Sequence, residues 1–103
     1  MDKLIAILNE MALPFAYDHF AEGEEVEPPF ICYLFPGSNN FAADGKVYHK
    51  IGRVNIELYT DKKDLKAEQK VEDALDAASI FYAKSEVWID SEKLYEVLYE
   101  MEV

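Results

Sequence analysis

The sequence is poor in the residues that build catalytic centres and disulfide frameworks. It holds one cysteine, two histidines, four glycines and four prolines among 103 residues. A lone cysteine cannot close an internal disulfide, which favours a reducing compartment, and Cys32 is expected to be a small buried hydrophobe because it lies in an apolar run. Metal ligands usually cluster at fixed spacing, whereas His19 and His49 lie 30 residues apart.

Positive charge is also scarce. Ten lysine and arginine residues stand against 21 acidic residues, which gives a formal net charge of −11. Binding to nucleic acid or to an anionic membrane needs a basic footprint, so this excess of acid excludes both as simple functions. No apolar run approaches the ~18 residues of a membrane-spanning helix. No targeting segment is evident either.

The apolar content indicates a packed domain. Half of the residues are apolar and 14% are aromatic, more than a disordered acidic chain holds. This length suits one domain, so residues 1–103 are expected to form a single α+β domain. The predicted elements are a helix at 2–12, strands at 15–20, 30–35 and 46–60, a helix at 65–78, and strands at 80–89 and 94–103. This order, α-β-β-β-α-β-β, predicts an antiparallel or mixed sheet with two helices on one face.

Two parts of this prediction leave alternatives open. The last segment, 94–103, fits a helix by its apolar spacing, but its alternating tyrosines and valines favour a strand. In the predicted strand 46–60, the apolar residues change from one face to the other partway along, since Val47 lies on one face and Val54 on the other. A β-bulge at Gly52 would restore a single buried face. Otherwise the outer half of the strand buries its apolar side against something else.

Sequence patterns that would indicate catalysis or metal binding are weak. A nucleophilic pair of Cys32 with His19 or His49 is formally possible, but a cysteine in a buried run makes a poor nucleophile. The acidic loop at 22–27 lacks the alternating oxygens and central glycine of a calcium loop. No phosphate-binding or nucleophile-elbow motif is present. We therefore expect no catalytic residue, no cofactor and no metal site, and we expect that the protein is not an enzyme.

The segment best suited to protein contact is a long hairpin arm predicted at about 36–53. Phe41 lies in the predicted connection 37–45, where polar residues are usual, and it either folds onto its own core or docks on a partner. The only basic island follows, with no acid between Asp44 and Glu57. This pattern predicts head-to-tail association, with the arm of one copy on the acidic flank of the next. The predicted interface residues are Asn40, Phe41, Asp44, Lys46, Tyr48, Lys50 and Arg53.

Three segments resemble small tail proteins encoded in the structural gene clusters of long-tailed phages and prophages of Gram-positive bacteria. They are SNNFAADGKVY at 38–48, VNIELYTDKKD at 54–64 and EKLYEVLYE at 92–100. Over nearly its whole length the chain is similar to tail terminator, or tail-to-head joining, proteins. The motifs are structural rather than catalytic, so they carry no catalytic residue over to this chain.

The resemblance implies an α+β fold and a homo-oligomer, a hexameric ring that caps the tail tube. It implies contacts with the tail tube protein and head-completion proteins, and neither cofactor nor reaction. The protein would be made in the host bacterial cytoplasm and reside in the virion tail, where DNA passes through the ring without specific binding. Two other functions stay open: another head–tail connector or minor tail protein, and an acidic protein-binding module that mimics nucleic acid. The basic arm argues against the second.

Overall fold

A computed structural model describes residues 2–21, 23–43 and 46–102. Its helices are α1 (Asp2–Glu10) and α2 (Leu65–Ala77), and its strands are β1 (Phe15–Tyr17), β2 (Phe30–Leu34), β3 (Ser38–Ala43), β4 (Lys46–Thr60), β5 (Tyr82–Ile89) and β6 (Leu94–Glu102). The two helices and the five strands of the main sheet follow one another as predicted. The predicted α+β fold is therefore confirmed.

The main sheet is mixed. Its strand order is β1-β2-β4-β6-β5, in which β1 and β2 are parallel and the other neighbours are antiparallel. Strand β3 pairs with the first part of β4 instead. The prediction that 37–45 is a plain connection is therefore wrong for Ser38–Ala43. Pairing with β4 outweighs the poor strand preference of its serine and asparagines.

Strand β4 passes from the main sheet into the β3 pairing without a break. Gly52 lies opposite Ser38 in register, and the register shift of this pairing falls between Phe41 and Ala42. The alternative of a bulge at Gly52 is therefore wrong. Gly52 is exposed where β4 leaves the main sheet, so no buried face has to be restored there.

Both helices pack on one face of the sheet, as predicted. The buried core consists of Leu4, Ile7, Leu8 and Met11; Ala67, Val71, Ala74 and Leu75; Ile80; and the strand residues Ile31, Val54, Ile56, Leu58, Val97, Tyr99 and Met101. The core residues of β4 and β6 are every second residue. The intervening side chains of these strands therefore lie on the opposite face, away from the helices.

Local chemistry explains several element boundaries. Helix α2 begins after Asp64, whose Oδ1 accepts a hydrogen bond from the Ala67 N–H at 3.0 Å and so caps the helix. Strand β1 ends at Tyr17 rather than at the predicted residue 20, because Asp18 adopts a positive φ of 63°. The final segment is a strand, since it pairs with both β4 and β5.

An ion network joins α2 to β5. Glu68 is 3% exposed, and its two carboxylate oxygens lie 2.7 Å from Lys63 Nζ and 2.8 Å from Lys84 Nζ. Lys84 also contacts Glu72 at 2.7 Å, and Lys63 contacts Glu86 at 2.6 Å. Burial alone would raise the pKa of Glu68, but the hydrogen bonds from the two lysines outweigh it and hold that pKa below its ordinary value.

Candidate protein-interaction surfaces

The first candidate surface is the hairpin formed by β3 and the first half of β4. Its antiparallel pairing places Asn40 opposite Lys50 and Ala43 opposite Lys46. At its base, the backbone N–H of Arg53 donates to the carbonyl oxygen of Gly37 at 3.2 Å. The backbone thus brings several of the predicted interface positions into one two-stranded ribbon.

The predicted interface residues fall into three groups. Arg53 is described with its side chain and is exposed. For Asn40, Phe41, Lys46 and Lys50 the strand pairing is described, and Tyr48 lies in β4 at the register shift. The side chains of these five residues lie outside the described residues. Asp44 lies outside the described residues altogether.

The composition of this ribbon differs from that of the rest of the chain. Residues 38–53 carry three of the ten basic residues and one of the 21 acidic residues. They also include Val47 and Ile51. The hairpin sequence is therefore cationic and partly apolar, whereas the remainder of the chain is strongly acidic.

The second candidate surface is the open face, which we define as the side of β4, β6 and β5 that faces away from the helices. Its side chains are Arg53, Asn55, Glu57 and Tyr59 from β4; Leu94, Glu96, Leu98, Glu100 and Glu102 from β6; and Ala83, Ser85, Val87 and Ile89 from β5. Leu98 is half-buried and Val87 is 53% exposed. Carboxylates and apolar side chains thus alternate across it. The sequence carries a signal for this face, because the three acids of β6 (Glu96, Glu100 and Glu102) are separated by even numbers of positions and so lie on one face of the strand.

A pair of carboxyl groups lies within the open face. Glu57 is hydrogen-bonded to Glu96, and the Tyr59 hydroxyl donates to Glu57 Oε1 at 3.2 Å. Burial raises the pKa of Glu57 to about 7, and the hydrogen bond and negative charge of Glu96 add to this rise. Two carboxyl groups share a hydrogen bond only when one carries a proton, so the pair retains a proton close to neutral pH.

A cleft of about 340 Å³ adjoins the open face, where the loop after β1 folds over β2. Phe20 from this loop packs edge-on against Phe30 at 5.5 Å, and Phe30 stacks on Tyr59 at 5.2 Å. The cleft is lined by Asp18, His19, Phe20, Glu24, Val26, Phe30, Cys32, Tyr59 and Glu92. Aromatic rings beside carboxylates suit a cationic side chain, which both groups attract.

The cysteine in this cleft is not an activated nucleophile. Cys32 is 4% exposed, which confirms the prediction of a buried hydrophobe. Burial raises the pKa of its thiol to about 11, and the negative charge of Glu57 adds to the rise. Only the thiolate is strongly nucleophilic. His19 lines the same cleft, but its Nδ1 lies 2.9 Å from Asp18 Oδ2, and the side chain of His49 is outside the described residues.

A third surface is an aromatic cluster that leads into the hairpin. Tyr17 packs against Tyr33 and against Phe35, with ring centroids 5.3 Å apart in both pairs. The backbone N–H of Phe35 donates to the Tyr17 hydroxyl at 3.3 Å. Tyr17 is 46% exposed and Phe35 is 38% exposed, which suits a protein contact. This cluster is not visible in the sequence, because it forms between β1 and the end of β2, which are distant along the chain.

The comparisons assign no family. No family model matches the chain, and no curated protein matches its sequence. Within residues 2–21, 23–43 and 46–102, neither helix is long and apolar enough to cross a membrane. Over the same ranges, no group of three or more His, Cys, Asp or Glu residues is placed to hold a metal ion. The surfaces are therefore interpreted from their own geometry and charge.

The carboxyl pair makes stability depend on pH. Because folding raises the pKa of Glu57 from 4.5 to about 7, stability falls as the pH rises between these values, and the loss is complete above the higher one. The substitution Glu57→Gln mimics the protonated acid. After allowance for solvent screening, we expect it to raise the free energy of unfolding by about 1 kcal/mol at about pH 8, and by little at about pH 5. Urea titrations at both pH values measure this difference.

The matched control is Glu100→Gln. Glu100 lies on the same face and is exposed, so its replacement should change stability equally at both pH values. A Glu57→Gln effect that is the same at both pH values would show that the pair does not hold a proton near neutrality.

Proposed function

We propose that this protein is a structural virion protein, a phage tail terminator that caps the tail tube and joins it to the head. The three segments that resemble tail terminators support this function. The observation that carries the proposal is the paired β3–β4 hairpin. This hairpin is rich in cationic residues, and it belongs to a chain whose open sheet face is acidic. Such a protein works by fitting against other proteins and performs no reaction.

The proposed assembly is a homo-oligomeric ring. The hairpin and an acidic flank are two different surfaces, so contact between them is heterologous, and a heterologous contact closes into a ring when the rotation permits. Opposite charges steer the correct surfaces together and disfavour others. We propose six copies, in keeping with the resemblance.

The proposed partners are the tail tube protein on one side of the ring and head-completion proteins on the other. The protein is made in the host cytoplasm and resides in the virion tail. DNA passes through the ring, and an acidic passage suits this role because carboxylates repel phosphates and do not grip them.

Genetic context tests the terminator function most directly. We expect a tail-tube gene and a tape-measure gene to follow this gene. In a phage that lacks it, electron microscopy should show filled heads without tails and tubes of uncontrolled length, because nothing stops the tube from growing. Normal joined particles would contradict the proposal. A position among head-completion genes would instead favour another head–tail connector.

Sedimentation velocity tests the role of the hairpin. We expect the variant Lys50→Glu/Arg53→Glu to shift from oligomer towards monomer, since it reverses the charge of the hairpin. Lys62→Glu/Lys66→Glu makes the same charge change at two exposed positions near α2 and should leave the oligomer unchanged. An oligomer that survives the hairpin variant would refute the hairpin as the contact. A stable monomer that binds basic proteins would favour the nucleic-acid mimic.

A further inference from the structure

We propose that the open face seats the β3–β4 hairpin of a second copy of this chain. The inference rests on the self-association proposed above and names the surface that receives the hairpin. In this arrangement, the contact between neighbouring copies in the ring consists of the hairpin of one copy packed on the open face of the next.

Charge is the first argument. Glu57, Glu96 and Glu100 lie on the open face, and no described residue forms an ion pair with Glu57 or Glu96. In the described part of the chain, the lysines that pair with carboxylates do so at other places. A cationic ribbon laid on this face would supply the missing counter-charge, and its apolar residues would cover Leu98 and Val87.

The elevated pKa of Glu57 is a second sign that no cation lies beside this carboxyl group. Asp18, Cys32, Tyr59 and Glu96 are the titratable groups that act on Glu57, and none of them is a cation. Acids that are paired with a cation have a lowered pKa instead, as Glu68 does. A cationic partner on the open face would therefore lower the pKa of Glu57.

The course of β4 explains why the hairpin must come from another copy. The last pairing of β4 with β6 joins Arg53 to Glu102, and the pairing with β3 begins at Gly52, one residue beyond it. Since β4 runs through this point as one strand, the hairpin continues past the end of β6. It therefore does not fold back over the open face of its own chain.

The dimensions of the two surfaces match. Neighbouring strands lie about 5 Å apart, so the three strands of the open face span about 10 Å, and a two-stranded ribbon lies within that width. Sheets that pack face to face bury alternate side chains of both partners. The alternating carboxylates and apolar side chains of the open face then meet the cationic and apolar residues of the ribbon.

Two complementary variants test this arrangement. For this test the hairpin variant is Lys46→Glu/Lys50→Glu, since both lysines pair with β3, and the face variant is Glu96→Lys/Glu100→Lys. Each alone should sediment as a monomer, because each places like charges in contact. An equimolar mixture should re-form the oligomer, since each hairpin then meets a face of opposite charge. An alternating ring of six copies has room for three of each variant.

A control variant and a milder variant distinguish a lost contact between copies from a folding defect. Asp73→Lys/Asp76→Lys makes the same charge change on two exposed residues of α2, in the helix layer. It should remain an oligomer and should not rescue the hairpin variant. The neutral variant Glu96→Gln/Glu100→Gln should fold normally by circular dichroism, and it should weaken association about tenfold.

The possible outcomes separate this inference from the proposed function. If the face variant stays oligomeric while the hairpin variant dissociates, the hairpin docks elsewhere and only the inference fails. If both dissociate but the mixture does not re-associate, the two surfaces do not meet, and the inference again fails alone. If the wild-type chain is a monomer at millimolar concentration, self-association itself fails and the inference fails with it.

Discussion

The variant Tyr99→Ala is expected to lose about 4 kcal/mol of unfolding free energy, because a large aromatic side chain leaves a cavity that its neighbours fill only in part. Tyr99 is 0% exposed. Its ring packs against Tyr82 at 5.3 Å, and its hydroxyl donates to Glu72 Oε2 at 2.8 Å. The change removes both the packing and the anchor that this hydroxyl gives to α2. Urea unfolding followed by circular dichroism measures the loss.

The conservative variant Tyr99→Phe separates the two contributions. It keeps the ring and removes only the hydrogen bond to Glu72, so we expect a loss of about 1 kcal/mol. Burial and the Glu72 hydrogen bond raise the pKa of Tyr99, so the hydroxyl stays protonated and donates over the working pH range. Equal losses for the two variants would show that the ring contributes little, contrary to its position in the core.

The double variant Lys63→Met/Lys84→Met is expected to lose about 3 kcal/mol at neutral pH, because it leaves the buried Glu68 carboxylate without a cation. In the wild-type protein the lowered pKa of Glu68 adds stability above its ordinary value of 4.5, and this stability is lost as the pH falls through the folded value. In the variant burial raises that pKa. The difference in unfolding free energy should therefore shrink as the solution is acidified.

Two further variants test that explanation. Adding Glu68→Leu to the double variant removes the isolated charge and should restore most of the stability, since apolar residues often replace a buried ion network at little cost. Lys66→Met/Lys70→Met removes two exposed lysines of α2 and should have little effect. A deficit that persists after Glu68→Leu would point to packing, rather than charge, as the role of the two lysines.

The spacing of apolar residues along the sequence predicted most of the helices and strands. The bounds of β4 agree at both ends with the predicted 46–60, and the cap at Asp64 lies where an acidic side chain precedes the apolar spacing of α2. These features are local, so residue spacing and type determine them. Strand β3 was not predicted as a strand because its sequence favours a connection. Only its pairing with β4 makes it extended, and a pairing partner is not visible in a short window.

The candidate surfaces were predictable in part. The basic island of the hairpin is contiguous in sequence and can be counted directly. The open face is different, because Glu57 and Glu96 come from strands separated by α2 and become neighbours only through the sheet order. The raised pKa of Glu57 likewise follows from burial and from that neighbour. Contacts between distant segments thus account for what sequence reasoning missed.

The continuity of β4 has a mechanical consequence. A strand of 15 residues is about 50 Å long at the usual rise per residue, comparable with the 49 Å longest dimension of the molecule. Tension applied at the hairpin tip would run along this strand into the main sheet. There it would load the perpendicular hydrogen bonds to β2 and β6 together, in shear, and would not peel them apart one at a time. Force on the tip would reach the core without an intervening hinge.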